Sequence, residues 1–165
     1  MIDARAIEIA VVDGLKAYVS TDKKPCEVVR ANQTGPIPPY PYIAYTITTP
    51  LQSRAGTFSV ASDGVRFREA TQTWSFTVQS DDADESLNVA LKAWDWFAIV
   101  SNVYLSDKGI VVQQVGNVNN RDNLITIEYE YRNGFDVTLN LINAVKMTEA
   151  EIGGYIETAE PTRIE

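Results

Sequence analysis

Apolar and polar residues alternate without a break between Thr73 and Gln79. In an extended chain Trp74, Phe76 and Val78 point to one side, and the small polar residues between them point to the other. Such a strand has one buried and one polar face, which is typical of antiparallel or mixed sheets and not of sheets buried on both sides. The segment therefore predicts a strand of an antiparallel or mixed sheet.

Two segments carry apolar residues at helical spacing. The first runs from Asp3 to about Val19. The second begins at a capping box, in which Asp82 accepts from the third helical N–H and Glu85 reaches back, and it ends near Tyr104. We expect its buried stripe to comprise Leu87, Ala90, Leu91, Trp94, Phe97 and Val100.

Shorter strands are predicted on either side of the second helix. Residues 27–30 form one, residues 43–47 form a second that ends before Pro50, and residues 110–115 form a third. The prolines of residues 36–41 exclude a helix and predict an extended entry into the second strand. Their PxxP spacing also matches ligands of aromatic grooves, but the strand entry explains the same residues.

The two last long strands are predicted to form a hairpin. One carries its apolar residues from Ile125 to Tyr131 and the other from Phe135 to Leu141. A three-residue loop of Arg132, Asn133 and Gly134 brings these apolar faces together, with Gly134 in the left-handed conformation.

The expected fold class is α+β, with a mainly antiparallel sheet of about five to six strands packed against two helices. With 165 residues, 45% of them hydrophobic, the chain is long enough to bury its own core as a single domain. In the tail, Ile152, Tyr155 and Ile156 are left open as a last strand or turn, and residues 160–165 are expected to fray.

Composition excludes several functional classes. The formal charge of −8 argues against a protein that binds nucleic acid by neutralising phosphates. The absence of histidine removes the usual hydrolase triads and the His-rich metal sites. Cys26 is the single cysteine, so no internal disulfide forms, and we expect synthesis in a reducing compartment. The acidic start and the lack of an apolar run of membrane-span length predict a protein made in the cytosol, without a membrane anchor.

The acidic cluster of Asp81, Asp82, Asp84 and Glu85 lacks the spacing of an EF-hand, and helix capping explains it better than a metal site does. No phosphate loop, nucleophile elbow or CxxC motif is present in the sequence. We therefore expect no catalytic residues, no metal and no cofactor.

Residues 51–63 allow two interpretations, a long hairpin arm or a mobile loop. Arginines flank this segment and could pair with carboxylates of a neighbouring chain, although a solvated surface explains them equally well. Trp96 lies at the margin of the helix stripe and is either core or an exposed anchor. The candidate residues for a contact between subunits are Arg54, Phe58, Arg66, Arg68 and Trp96.

Three segments together resemble the neck and tail terminator proteins of tailed bacteriophages. They are the strand entry PYPYIAY at residues 39–45, the strand TWSFTVQS at residues 73–80, and the helix segment KAWDWF at residues 92–97. The likeness runs from the first helix to about Ala159, and its motifs are structural.

The resemblance implies a structural protein of the virion neck, assembled in the host cytoplasm. It implies a homohexameric ring that caps the tail tube, stops its growth and joins the tail to the head connector, with DNA passing through the lumen. The implied partners are further copies of the chain, the tail tube protein and the connector protein. The negative charge agrees with a lumen to which DNA does not adhere.

Two other functions remain open from sequence. One is a different virion adaptor, in tail completion or the baseplate. The other is a small-ligand binding domain, or an enzyme without histidine that uses carboxylate and tyrosine side chains.

Overall fold

A computed structural model describes residues 1–122 and 129–148 of the chain. The helical elements are α1 (Ala4–Val19), α2 (Ala83–Asp95), a π-helix (Trp96–Val100) and α3 (Asn102–Ser106). The strands are β1 (Glu27–Arg30), β2 (Tyr42–Gln52), β3 (Ser59–Val60), β4 (Val65–Ser80), β5 (Ile110–Val115), β6 (Asn119–Asn120) and β7 (Tyr131–Lys146). In these residues no helix is long and apolar enough to cross a bilayer.

The described strands form one sheet in the order β1-β2-β4-β7-β5, with β3 added to β4 and β6 added to β7. The β1–β2 pair is parallel and the other pairs are antiparallel. This confirms the α+β class. The seven strands exceed the predicted five to six because β3 and β6 have only two residues each, too few for an alternating pattern to reveal.

The core lies between one face of the sheet and the helices. Trp74, Phe76 and Val78 are fully buried, as their alternation predicts. Register places Trp74 opposite Val137 and Phe76 opposite Phe135 on the neighbouring strand β7. The ring centroids of Phe76 and Phe135 are 5.9 Å apart, so large aromatic side chains already fill this face of the sheet.

The predicted hairpin loop at residues 132–134 is wrong. These residues lie inside β7, where Gly134 pairs with Thr77 of β4 and has no positive φ. Glycine is needed here because the backbone of β4 passes close to it, and a Cβ at this position would overlap the carbonyl oxygen of Phe76. It does not form a turn. The part of the other predicted hairpin strand that contains Ile125 and Ile127 falls outside the described residues, as does the tail that contains Ile152 and Tyr155.

Strand β2 continues through Pro50, which was expected to end it. Pairing with β1 stops at Tyr45, so Pro50 belongs to an edge segment on that side. Register against β4 also shifts between Thr49 and Gln52. Proline is tolerated at an edge or a bulge because no regular ladder hydrogen bond needs its missing N–H.

Helix α2 is rotated relative to the predicted stripe. Its buried side chains are Ser86, Ala90 and Ala93, whereas Leu87 and Leu91 are exposed. The physical reason is steric, because small residues allow the helix to approach a sheet face that aromatic rings already occupy. The predicted core position of Val100 is also wrong, since its side chain is exposed.

Candidate functional site

An exposed ribbon extends past the ends of its neighbouring strands. Pairing of β2 with β4 ends at Thr71, and pairing of β5 with β7 ends at Leu141. Strands β4 and β7 continue together to the pair of Val65 with Lys146. Because no residue from Leu51 to Glu69 is buried, we call residues 51–69 the arm.

The structure answers the question left open for residues 51–63 in favour of a hairpin arm. Strand β3 folds back on β4, pairing Ser59 with Phe67 and Val60 with Arg66. The Ser53 hydroxyl donates to the carbonyl oxygen of Glu69 at 2.8 Å and holds the intervening loop. The arm is therefore an ordered extension of the sheet.

Four of the five candidate contact residues come together on the arm. The guanidinium carbon of Arg66 lies 4.6 Å from the ring centroid of Phe58, which is 50% exposed. Arg68 donates to the carbonyl oxygen of Arg54 at 3.4 Å. None of these arginines forms an ion pair with another described residue. The arm thus presents apolar surface beside unpaired positive charge.

An open groove of about 940 Å³ lies where β2 and β3 separate along the edge of β4. Arg54, Phe58, Phe67 and Arg68 are among its lining residues. Most of its lining residues belong to the arm, and Ala70, Thr71, Gln113 and Thr138 line it from the neighbouring part of the sheet.

Trp96, the fifth candidate, is not an exposed anchor. Its side chain is only 4% exposed and packs against α1, where a Cβ added to Gly14 would lie 2.7 Å from the indole ring. Glycine at this position of α1 makes room for the ring. Trp94, which was expected in the core, is only half-buried, and its indole N–H donates to the Gly116 carbonyl at 2.8 Å.

The helical run from α2 to α3 carries a second exposed surface, which we call the helix face. It consists of apolar side chains with two carboxylates among them. Ile99 and Val103 are 69% and 73% exposed, and Leu91 is 46% exposed. The members of the helix face are Asp84, Leu87, Leu91, Asp95, Ile99 and Val103. No ion pair joins Asp84 or Asp95 to any described residue.

The acidic cluster before α2 caps the helix. Asp82 accepts from the backbone N–H of Glu85 at 3.0 Å, as predicted. Glu85 does not complete the box, because it accepts from the Ser80 hydroxyl at 2.6 Å and pairs with Lys24. Burial raises the pKa of Glu85, but the hydrogen bonds from Lys24 and Ser80 lower it by more. The described residues contain no group of three ligand side chains that could hold a metal.

Two potentially reactive groups are buried in the core. Burial raises the pKa of the Cys26 thiol to about 11, which keeps it protonated at neutral pH. Burial also raises the pKa of Tyr45, whose hydroxyl donates to Glu8. Neither group is available to a substrate, and both serve packing.

Sequence reasoning missed a polar cluster on the open face of the sheet. Arg121 donates to the hydroxyl oxygens of Ser75 at 2.7 Å and Thr77 at 3.1 Å. It also donates to Asp136 at 3.0 Å, and so connects β4 with β7. Only the tertiary fold brings these residues together, since they lie on distant segments of the chain.

The sequence of the chain is similar to that of a known protein family. The sequence model of a family described as phage neck terminator protein matches residues 10–165. The match continues to the last residue, past Ala159, where the likeness was expected to end. No curated protein matches the chain significantly.

Proposed function

Because the chain belongs to the phage neck terminator protein family, a structural family of the virion, we propose that it forms a ring at the head end of the tail. In this proposal six copies close the ring, stop the growth of the tail tube and join the tail to the head connector. DNA passes through the lumen without specific contacts.

The arm is the observation that supports self-assembly most strongly. A closed ring requires two different complementary surfaces on each subunit. Residues 51–69 contribute nothing to the core of their own subunit, yet they hold an ordered ribbon with exposed Leu51, Phe58 and Val60. Exposed apolar residues in an ordered projection mark a protein contact.

The charge of the chain supports the proposed role of the lumen. A net charge of −8 repels the phosphate backbone, so a passing duplex is not retained. We propose that the tail tube protein and the connector protein are the partners above and below the ring.

Removal of the gene from its phage tests the function. We expect filled heads without attached tails, together with tails of uncontrolled length, and recovery of normal particles when the protein is supplied in trans. Normal tails firmly joined to filled heads in the absence of the protein would contradict the proposal. Electron microscopy of negatively stained lysates distinguishes these outcomes.

A further inference from the structure

We propose that the helix face is the receiving surface for the arm of a neighbouring copy. This inference rests on the proposed ring, and it assigns both halves of the contact between subunits. The arm provides Phe58 and Val60 with the adjacent arginines, and the helix face provides leucine and valine side chains with the adjacent aspartates.

Spacing places the members of the helix face along one line of the helical run. Asp84, Leu87, Leu91 and Asp95 are three or four residues apart, so they share one side of α2. Ile99 and Val103 continue the same spacing through the π-helix into α3. Helices in soluble proteins normally place polar residues on the side that faces solvent. An apolar solvent face therefore indicates a covering partner.

Charge identifies the partner as the arm and not as a second helix face. Two helix faces packed together would bring Asp84 and Asp95 close to the same residues of the other copy. Two arms packed together would bring Arg54 and Arg68 close to their equivalents. Like charges at close range oppose association, whereas the arm against the helix face places arginines near aspartates.

The asymmetry of this contact permits a ring, which closes when the rotation between neighbouring subunits brings the last copy back to the first. When the arm of one subunit binds the helix face of the next, the growing assembly keeps one free arm at one end and one free helix face at the other until the last contact joins them. A contact between identical surfaces would instead stop at a dimer. The proposed pair of surfaces thus accounts for a ring.

Cysteine cross-linking tests the proposal directly. Ser59→Cys adds a thiol beside Phe58, and Asn88→Cys adds one beside Leu87 and Leu91, while both sets of proposed contact residues stay intact. The native Cys26 is buried and does not interfere. Mixing the two variants, one of them tagged for mass, and oxidising them is expected to give mainly the mixed cross-linked dimer.

Controls separate a specific contact from random collision. Lys23→Cys places a thiol on an exposed turn that belongs to neither surface, and its mixture with Ser59→Cys sets the background. Circular dichroism checks that each variant is folded. Mixed dimers at or below this background, or a majority of dimers between identical variants, would overturn the proposal.

Charge reversal gives a second readout. Asp84→Lys with Asp95→Lys in the Asn88→Cys copy is expected to abolish the mixed cross-link. Arg54→Glu with Arg68→Glu in the Ser59→Cys copy is expected to restore it. If the mixed cross-link is lost and not restored, or is not lost at all, the proposed pairing of the arginines with the aspartates is wrong.

Failure of this inference is distinguishable from failure of the proposed function. If the wild-type protein forms rings on tails but the mixed cross-link is absent, the ring stands and the receiving surface is wrong. If phage without the gene have normal attached tails, the function itself fails.

Discussion

At the scale of single residues, close contacts decide positions that hydrophobic patterns leave open. Trp96 is buried because Gly14 of α1 leaves room for its ring. The sequence places Trp96 at the margin of a helical stripe, and nothing local indicates that a glycine about eighty residues earlier faces it. Burial of this kind depends on how two helices pack, so the pattern of one helix does not predict it.

We expect Gly14→Ala to destabilise the fold although alanine favours helix. The added methyl group would lie 2.7 Å from Trp96 and 2.6 Å from Tyr104, and overpacking costs about 1–3 kcal/mol. Urea unfolding measures the change. Gly35→Ala is the matched control, because nothing lies within 4 Å of its added Cβ. A free energy of unfolding for Gly14→Ala equal to or higher than that of the wild-type protein would contradict the close packing of α1 against Trp96.

Asp136 predicts a dependence of stability on pH. Burial raises its pKa, but hydrogen bonds from Ser75 and Arg121 outweigh burial and lower the pKa below the ordinary value of 3.8. A lowered folded-state pKa adds stability above pH 3.8 that disappears as the pH falls through the folded-state pKa. The side chain is 57% exposed, so the contribution is below about 1 kcal/mol.

The measurement compares the wild-type protein with Asp136→Asn across acidic pH. We expect the wild-type protein to have the higher free energy of unfolding at pH 6, and the difference to shrink below pH 3.8. A difference that stays constant down to pH 2.5 would show that ionisation of Asp136 contributes nothing.

At the scale of elements, the hydrophobic pattern predicts that a helix or strand is present better than it predicts where the element ends or which side of a helix is buried. Helix α1 and strands β1 and β5 lie where the periodicity indicates. Strand β7 does not, because Asn133 and Gly134 resemble turn residues, and only pairing with β4 shows that the chain runs straight through them. The orientation of α2 also depends on the sheet, since both of its sides carry apolar residues.

The N-cap of α2 gives a prediction about the stability that this helix end contributes. Asp82→Ala removes the acceptor of the Glu85 N–H and is expected to cost about 1 kcal/mol of stability. Asp81→Ala is the control, with the same loss of charge one residue before the cap. Thermal unfolding followed by circular dichroism compares them. Equal melting temperatures for the two variants would show that the cap does not stabilise the helix.

At the scale of the whole molecule, the candidate site depends on the arrangement of surfaces and not on any single motif. The sequence places Arg54 and Phe58 within residues 51–63 and Arg66 and Arg68 just after them. In the structure Arg66 lies over the Phe58 ring and Arg68 donates to the Arg54 carbonyl oxygen, and their role in a contact between subunits stays a prediction. The helix face was not predicted, because its leucines match a core stripe equally well. An exposed apolar surface on a helix can be recognised only from the fold, which shows which side of the helix packs against the core and which side faces solvent.

Electron cryomicroscopy of the neck of the phage that encodes this chain tests the central claim most directly. We predict a ring of six copies between the tail tube and the head connector, with residues 51–69 of each copy against Leu91 and Val103 of the next. A single copy at that position, a location elsewhere on the particle, or absence from the particle would contradict the account.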